Sequence, residues 1–375
     1  MLPGPASCTL GTMHETTTGR VAAPPPDPPE VAPVRAGEEL DAARAEAWIR
    51  ERMPELASPL RVEQFPGGHA NLTYLLRFGE RELVLRRPPF GPVAPGAHDM
   101  VREFRVLSRL WRVFDRAPRA YLLCEDPAVI GATFFVMERR TGVVIRNSIP
   151  PALGRHEDVA RRVSFALVDA MADLHDVDYA AAGLADLGRP EGFVRRQVEG
   201  WHKRWLLARH ADVPEMEALH GWLVEHLPVS PGASLVHNDL KLDNCQFDPD
   251  RPDRVKSIFD WDMATLGDPL VDLGTLLGYW SEGQSPSPEG GSVSLVGGPG
   301  FPSRDEIAER YATRRDVPLR ALAWYEAFAL WKTAVVVQQI WIRWKRRQTH
   351  DERFAHMDER VPVLARLATR RAEGA

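Results

Sequence analysis

The stretch "LVHNDLKLDNCQFD", residues 235–248, concentrates polar side chains between apolar ones. A surface loop does not need apolar residues on both sides, and a plain core does not tolerate the charges. The pattern therefore predicts a short polar loop held between two buried strands. Asp239 and Asn244 lie five residues apart and bracket that loop. A carboxylate there can accept the proton of a hydroxyl group, and an amide oxygen can bind a hard cation.

A second carboxylate completes this arrangement further along the chain. Asp260 follows the apolar run "SIF" in "SIFDWDMATLGDP", at the expected end of another buried strand. Mg²⁺ takes oxygen ligands and keeps several waters, so Asn244 and Asp260 together with phosphates would suffice to hold it. The spacing H-x-D-x-x-x-x-N, starting at His237 and followed by a later Asp, is that of kinase catalysis. These residues predict phosphoryl transfer with a bound metal.

Kinase chemistry also needs a phosphate-binding turn and a cation upstream. "PGGHANLTY" places Gly67 and Gly68 in a turn between two strands, where backbone N–H groups can approach phosphate oxygens. The strand "ELVLRR" puts Arg86 where the kinase V-A-I-K strand has lysine. Glu103, in the following helix, is the candidate carboxylate partner for this cation. Taken singly, these four residues are more often structural than functional, so their meaning depends on the downstream loop.

Composition limits the classes of protein that this chain can represent. Its 375 residues are 44% apolar and 26% charged, as expected for a soluble globular protein, and its net charge of −5 does not favour nucleic-acid binding. No apolar run approaches the ~20 residues that cross a bilayer, and we expect no secretory signal. The separated Cys8, Cys124 and Cys245 predict free thiols in a reducing cytoplasm.

The order of strand and helix patterns predicts an α+β fold with two lobes. We predict a disordered Pro-rich N-terminus over 1–36, a nucleotide-binding lobe of sheet plus helix over 37–140, and a helical lobe with the catalytic loop over 141–375. The Gly/Pro/Ser-rich residues 283–302 predict a flexible insert. The predicted strands are 61–65, 71–78, 81–87, 120–125, 133–139 and 255–262, and the predicted helices are 37–53, 99–114, 157–176, 190–209, 213–227, 303–315, 319–346 and 351–371.

Four segments together carry a family resemblance. "FPGGHANLTYLLRFGERELVLRRPP", "HNDLKLDN", "FDWDMATLGDPLVDLG" and "YEAFALWK", in this order, resemble the aminoglycoside phosphotransferase (choline/ethanolamine kinase-like) family over roughly residues 38–370. The likeness is strongest to the kinase-like domain fused to animal acyl-CoA dehydrogenases. The resemblance implies a two-lobed, protein-kinase-like fold with ATP and Mg²⁺ between the lobes.

The resemblance also implies a role for each matching residue. Asp239 is similar in position to the catalytic base, and Asn244 and Asp260 to the magnesium ligands. Arg86 matches the residue on the α- and β-phosphates and would pair with Glu103. The other implied roles are a loop-shaping His237, a cation near the transferred phosphate at Lys241, and hinge backbone groups for adenine at Met137, Glu138 and Arg139. Arg in place of Lys at position 86 is the one departure, and Arg87 is a competitor for that role.

The predicted activity is ATP- and Mg²⁺-dependent transfer of a phosphoryl group to a hydroxyl of a small molecule, that is, a phosphotransferase with an alcohol group as acceptor. Two alternatives stay open at this point. A pseudokinase would bind nucleotide or acyl-CoA without turnover; the intact Asp239, Asn244 and Asp260 argue against it, whereas the arginine at position 86 keeps it open. An aminoglycoside-type antibiotic kinase would use the same chemistry on a polycation. The oligomeric state is left open.

Charge near the C-terminus favours an anionic acceptor, with a hydroxyacyl-CoA as the specific hypothesis. Residues 341–371 contain nine Lys/Arg against four acids. Arg343, Arg346 and Arg347 would share one face of the predicted helix 319–346 by their i, i+3 and i+4 spacing. A solvated stripe would show the same spacing.

Overall fold

The structure is a computed structural model that describes residues 30–66, 71–91, 98–146, 148–280, 298–349 and 352–374. Its helices are α1 (Ala42–Arg52), α2 (Met100–Leu110), α3 (Pro127–Ile130), α4 (Pro151–Gly154), α5 (Val159–His175), α6 (Phe193–Ala208), α7 (Pro214–Glu225), α8 (Leu270–Gly278), α9 (Arg304–Arg315), α10 (Leu322–Lys345) and α11 (Arg360–Glu373). Its strands are β1 (Leu60–Gln64), β2 (Leu72–Phe78), β3 (Arg81–Arg87), β4 (Ala120–Cys124), β5 (Phe134–Glu138), β6 (Val143–Val144), β7 (Ser234–Val236), β8 (Cys245–Phe247), β9 (Val255–Ile258) and β10 (Thr265–Gly267).

The first five strands form an antiparallel sheet in the order β1-β2-β3-β5-β4. The predicted two-residue turn between β2 and β3 is confirmed, since Phe78 faces Arg81 across Gly79 and Glu80. Gly79 has φ +61°, and a Cβ at this position would lie 2.7 Å from the hydroxyl oxygen of Ser58. Only glycine meets both requirements without strain.

Alternation along the strands divides the buried side chains of the sheet between two cores. Leu85 and Phe134 pack with α1 and α3 on one face. Val84, Phe135 and Met137 point to the opposite face and join the larger core that α2 shares with the downstream helices. Because side chains alternate along a strand, adjacent residues of β3 and β5 face different cores. The sheet is therefore attached to the helical part through one face and through α2.

The helical part is organised around α10. This helix packs against α6, α8 and α11. Four of its aromatic residues follow helical spacing and are buried in the core: Trp324, Tyr325, Phe328 and Trp331. The predicted α+β class, with a sheet followed by helices, is confirmed. Among the described residues, no helix has both the length and the apolar character that crossing a bilayer requires.

Two small sheets hold the polar loop at residues 237–244. The strand before the loop, β7, pairs with β10, whereas the strand after it, β8, pairs with β6 and β9. The prediction of two flanking buried strands is confirmed, although they belong to different sheets. The loop therefore bridges two sheets, and this brings the segment after β9 alongside it.

The prediction of disorder over residues 1–36 is wrong for its last part. Ala32 and Gln64 exchange two backbone hydrogen bonds of 2.8 Å, which attach this segment to the edge of β1. The backbone N–H of Arg35 also donates to the side-chain carbonyl of Gln64 at 2.9 Å. A sheet edge offers hydrogen bonds to any adjacent extended chain, which composition does not reveal. Residues 1–29 lie outside the described part of the chain.

The prediction of a flexible insert over residues 283–302 is likewise wrong for its last five residues. The indole N–H of Trp280 donates to the carbonyl of Pro302 at 2.8 Å, and the Phe301 ring packs edge-on against the same indole. The rest of the insert lies outside the described residues. The last helix also begins at Arg360 rather than at 351. Pro362 then falls in its first turn, where a missing N–H costs no hydrogen bond.

Candidate active site

The backbone at the start of the 237–244 loop is held by a carboxylate from α8. Asp272 accepts hydrogen bonds from the N–H groups of His237 (2.7 Å) and Asn238 (2.6 Å). Asn238 has φ +68°, a left-handed conformation that asparagine tolerates better than most residues. Asp272 therefore orients the backbone at the start of the loop.

Asp272 is itself held by buried groups. His175 donates to it through Nε2 at 3.1 Å, and Nδ1 of the same ring lies 2.7 Å from the Tyr311 hydroxyl. Burial works against ionisation, but the His175 hydrogen bond and the His237 N–H keep the pKa of Asp272 below its ordinary value. An ionised carboxylate is the form that accepts two backbone N–H groups, so this chain of contacts stabilises the loop.

A buried lysine of α10 also binds the backbone of the 237–244 loop. Lys332 of α10 donates from Nζ to the carbonyl oxygen of Asn238 at 2.9 Å, and it is 6% exposed. Burial lowers its pKa. Sequence reasoning assigned Lys332 no role, although a lone cation within the apolar run "FALWKTAVVV" was the available signal. A buried lysine is stable only when its ammonium has a partner, so Lys332 ties α10 to the loop.

Asp239 projects from the loop with both carboxylate oxygens engaged. The Tyr279 hydroxyl donates to Oδ1 at 3.0 Å, while Lys241 Nζ and Asn244 Nδ2 each lie 3.2 Å from Oδ2. The side chains of Asp239 and Lys241 are each 23% exposed. Burial opposes the charge of Lys241, but Asp239 raises its pKa above the ordinary value. Tyr279 was missed from the sequence because it lies 40 residues beyond Asp239.

Asn244 and Asp260 are brought together by the pairing of β8 with β9. Cys245 faces Ile258 in this pair, and the N–H of Phe259 donates to the Asn244 carbonyl at 2.8 Å. The next residue, Asp260, has φ +65° and turns out of the strand. His237 donates from Nε2 to the Phe259 carbonyl at 2.8 Å, and it is fully buried. His237 therefore shapes the loop, as the resemblance implied.

A network of charged side chains joins the sheet to the segment after β9. Arg86 Nε lies 2.9 Å from Glu103 Oε2, and Arg86 also donates to Asp260. The other carboxylate oxygen of Glu103 accepts the N–H of Trp261 at 3.2 Å. The structure thus brings together the pair expected from sequence, Arg86 with Glu103, and adds Asp260 to it.

This network, which we call the Asp260 cluster (Arg86, Glu103, Asp260 and Asp262), carries more acids than cations. Burial raises the pKa of Glu103 to about 8. Arg86 acts in the opposite direction, whereas the nearby Asp260 and Asp262 raise this pKa further. Burial and the neighbouring Asp260 raise the pKa of Asp262 to about 7. Burial also opposes ionisation of Asp260, but Arg86 keeps its pKa below the ordinary value. Three carboxyl groups around one guanidinium form a site to which a divalent cation would add missing positive charge.

The donor set next to this cluster also fits magnesium. Asn244 uses its amide nitrogen to donate to the Asp239 carbonyl (2.8 Å) and carboxylate, which leaves its side-chain oxygen as the atom for a cation. Together with the carboxylate of Asp260 this provides two hard oxygen ligands. Asp262 is the alternative ligand on the same short segment.

The remaining predicted nucleotide contacts fall into three groups. Arg87 points away from Arg86, because it donates to the Ile130 carbonyl at 3.1 Å and stacks over Phe90. Gly67 and Gly68 lie outside the described residues. The predicted hinge, Met137 to Arg139, lies at the end of β5.

The hinge residues are already engaged in part. Met137 is buried, and the N–H of Glu138 donates to the Arg119 carbonyl at 2.8 Å, so this N–H is used within the sheet. The Arg139 side chain pairs with Glu30 at 2.6 Å. The adenine base of a bound nucleotide would therefore need backbone groups other than the Glu138 N–H.

The three C-terminal arginines do not share a helical face, contrary to prediction. Helix α10 ends at Lys345, and Arg347 has φ +56° in the turn that follows. Arg346 and Arg347 are exposed. Arg343 is half-buried and lies near His98 at the start of α2, whose pKa is lowered by burial and then by Arg343. His98 in turn contacts Asn71 at 2.9 Å. Arg343 therefore lies near the start of α2, whereas Arg346 and Arg347 lie exposed at the end of α10.

Comparisons with known proteins agree with this geometry. The chain matches the phosphotransferase enzyme family over residues 61–309. It is 31% identical to mouse acyl-CoA dehydrogenase family member 10 over 320 residues, which are 84% of this chain and 30% of that protein. This chain spans less than half the length of the curated relatives that it matches.

Solved structures give the same result for the fold. A protein of Ralstonia eutropha, provisionally assigned as an aminoglycoside phosphotransferase, aligns with a TM-score of 0.74 and 29% identity over 90% of this chain and 99% of its own. An aminoglycoside phosphotransferase in complex with ADP and hygromycin B aligns at 0.57 with 14% identity, over 88% and 99%. The predicted kinase-like, two-lobed architecture is confirmed, and the chain belongs to the phosphotransferase enzyme family.

Proposed function

We propose that the protein is an ATP- and Mg²⁺-dependent kinase that phosphorylates a hydroxyl group of a small anionic acceptor, with a hydroxyacyl-CoA as the specific candidate. The observation that carries this proposal is the position of Asp239. Its carboxylate projects beside Lys241 and Asn244 on a loop whose backbone is bound by Asp272 and Lys332. A carboxylate held in this way can orient a hydroxyl and accept its proton.

The proposed reaction assigns each step to a residue of this chain. Asp239 orients the acceptor O–H, whose oxygen forms the bond to the γ-phosphorus while the bond to the β-phosphate oxygen breaks. The proton passes to Asp239 and then to solvent, and ADP leaves. Lys241 and Arg86 offset the negative charge of the phosphates. Asn244 and Asp260 would hold Mg²⁺, which supplies charge neutralisation on the β- and γ-phosphate oxygens.

Arg86 has to change one partner for this to occur. In the described structure it forms an ion pair with Glu103 and donates to Asp260. The end of the guanidinium that contacts Asp260 would turn to a phosphate oxygen, while Glu103 keeps the other end in place, and Asp260 would then be available to hold Mg²⁺. Arginine suits this exchange because its planar fork has several donors and its charge does not depend on pH.

Support for an anionic acceptor comes from the face of α10 that carries Lys332. This face continues from Lys332 to Val336, Ile340 and Arg343, in successive steps of four, four and three residues. Each of these three residues is half-buried. This stripe is apolar in its middle and cationic at its end. A ligand with an apolar chain and a phosphorylated group matches that order. The named relatives are acyl-CoA dehydrogenase family members, which links the family to acyl-CoA chemistry by association.

The test is an ATP-consumption screen of the full chain with Mg²⁺ and hydroxyacyl-CoAs, amino alcohols, sugars and aminoglycosides. We expect a phosphorylated hydroxyacyl-CoA and one ADP per product, both lost in Asp239→Asn and retained in Asp243→Asn, the matched change at an exposed acid of the same loop. Nucleotide binding without turnover of any acceptor would instead support the pseudokinase alternative.

The acceptor class is tested separately by Arg343→Gln. We expect this change to raise KM for the acceptor about 10-fold and to flatten its salt dependence, with KM for ATP unchanged. Arg347→Gln, at the exposed position past the helix end, is the control and should change neither value. Efficient phosphorylation of kanamycin-like polycations, with no reaction of acyl-CoAs, would overturn the anionic-acceptor proposal in favour of an antibiotic kinase.

A further inference from the structure

A cluster of potential metal ligands lies on α6 and α7, outside the candidate active site. His202 of α6 and Glu217 and His220 of α7 each place a ligand atom within 4.8 Å of the others. His202 Nε2 lies 2.9 Å from Glu217 Oε2, and the two imidazole rings are parallel with centroids 3.6 Å apart. We propose that His202, Glu217 and His220 form a binding site for a transition-metal ion, with Zn²⁺ as the best match.

The helices supply this arrangement through their periodicity. Glu217 and His220 are three residues apart, so they lie on the same face of α7. His202 lies on α6, which packs against α7. The helical backbone fixes the direction of the His202 side chain in the same way. Two ligands from one helix and a third from its neighbour hold the donor atoms on rigid backbone rather than on a loop. A site of this kind needs little backbone movement to bind an ion.

Surrounding side chains orient two of the three ligands. The indole N–H of Trp205 donates to Glu217 Oε1 at 3.0 Å, which leaves Oε2 directed at His202. The ring of His220 is stacked between His202 and the buried Trp331 of α10, whose centroid is 6.2 Å away. Hydrogen bonds and packing of this kind are typical of the groups that support metal ligands. Arg209 Nη1 lies 3.7 Å from Glu217 Oε1, so the carboxylate is shared with a cation on its far side.

The donor set selects the class of ion. Two imidazoles and one carboxylate bind Zn²⁺ in known sites with a water as the fourth ligand, whereas Mg²⁺ prefers oxygen ligands alone. Ligand atoms of tetrahedral zinc lie roughly 3.3 Å apart, and an imidazole nitrogen binds a metal ion in the plane of its ring. The two stacked rings therefore need to rotate out of their parallel arrangement, in addition to a shift of about 1 Å. Glu217 also borders a surface pocket of about 380 Å³, which provides an entry path for the ion.

The site is separate from the proposed kinase chemistry, and its role would be to tie α6 to α7. In the absence of metal, the His202–Glu217 hydrogen bond makes a weaker contact between the same helices. Binding displaces the proton on His202 Nε2, which moves to Nδ1 or to solvent. An ion that binds only the folded protein raises its stability, so the proposal can be tested without any assay of activity.

The experiment uses the full, tag-free chain after treatment with a chelator. We expect one equivalent of Zn²⁺ to bind in the presence of excess Mg²⁺, to raise Tm by roughly 3–6 °C, and Co²⁺ to give the visible absorption of a four-coordinate site. His220→Gln and Glu217→Gln should each weaken Zn²⁺ binding at least ~100-fold. Glu217→Gln keeps an oxygen acceptor for the indole N–H of Trp205, so this variant preserves the fold.

The matched control is His226→Gln, which alters an exposed histidine at the end of α7 outside the trio and should leave the affinity unchanged. Two results would overturn the proposal. One is the lack of stoichiometric Zn²⁺ binding by the folded wild-type chain. The other is Zn²⁺ binding that Glu217→Gln and His220→Gln leave intact, which would place the ion elsewhere.

Discussion

Two groups of charged side chains face each other in the candidate active site, and they differ in how firmly they are held. In the Asp260 cluster the side chains of Arg86 and Glu103 are 9% and 1% exposed. In the second group, the Asp239 cluster (Asp239, Lys241, Asn244 and Tyr279), Asp239 and Lys241 are each 23% exposed. The first cluster joins the sheet to the segment after β9 and is enclosed at Arg86 and Glu103, whereas its Asp260 side chain is 30% exposed. The second cluster lacks an ion pair enclosed to the degree of Arg86 with Glu103.

This difference in enclosure corresponds to a difference in task. The enclosed pair of Arg86 with Glu103 can hold the neighbouring Asp260 in one geometry for a cation, because low local dielectric strengthens the ion pair and its partners cannot move far. A group that passes a proton from substrate to solvent needs access to both. We therefore expect substitutions in the Asp260 cluster to have larger effects than removal of single contacts in the Asp239 cluster.

The largest effect is expected for Asp260→Asn. This change should lower kcat by ~10²-fold or more with the fold intact, because a neutral amide holds Mg²⁺ poorly. Steady-state kinetics over a range of Mg²⁺ concentration, with circular dichroism for the fold, measures it. Asp262→Asn makes the same change two residues on and should have a smaller effect. Near-normal turnover of a folded Asp260→Asn variant would transfer the metal-binding assignment to Asp262.

A somewhat smaller effect is expected for Arg86→Ala. Loss of a charge-assisted phosphate contact costs about 1.5–3 kcal/mol, so ATP binding should weaken roughly 10- to 150-fold. Arg86→Lys should recover part of this loss, since it keeps a cation beside Glu103. Arg87→Ala should change ATP binding little, because Arg87 contacts Ile130 and Phe90 on the other side of β3. If the two alanine variants ranked in the opposite order, the phosphate-binding role would belong to Arg87.

The smallest effect is expected in the Asp239 cluster, for Tyr279→Phe. The hydroxyl of Tyr279 donates to Asp239 Oδ1 at 3.0 Å, and Lys241 and Asn244 remain on Oδ2 when it is removed. The loss should therefore be no more than the low end of a hydrogen bond to a charged group, about 1.5 kcal/mol. We expect kcat to fall roughly 2- to 10-fold, with KM for ATP unchanged. A loss as large as that of Asp260→Asn would show that Tyr279 is part of the catalytic machinery and would remove the contrast between the clusters.

The core of the site was predictable from sequence because its members lie on short, strongly patterned segments. The loop with Asp239 and Asn244 is bounded by apolar residues, among them Val236 and Phe247, and Asp260 follows the apolar Ile258 and Phe259. The pairing of Arg86 with Glu103 followed from strand and helix order together with the family resemblance. Strand alternation then separates Arg86 from Arg87, which the sequence had left as competitors.

Other members of the site were not predictable because they act over long sequence separations. Tyr279 meets Asp239 across 40 residues, and Lys332 meets Asn238 across 94. Their neighbours in sequence are those of ordinary core helices. The error over Arg346 and Arg347 has a local cause, since the i, i+4 rule holds only while the helix continues, and α10 ends at Lys345.

The sequence by itself determined the α+β class, the order of strands and helices, and the loop that carries the acid and amide side chains. Those features depend on hydrophobic periodicity and on turn residues, which act within a few positions of the chain. Only the tertiary structure decided that Asp272 and Lys332 hold the loop from α8 and α10, that Arg86 reaches Asp260, and that Arg343 lies near His98. These contacts depend on how distant elements pack, because a buried charge takes the partner that packing brings near it rather than one set by its place in the sequence.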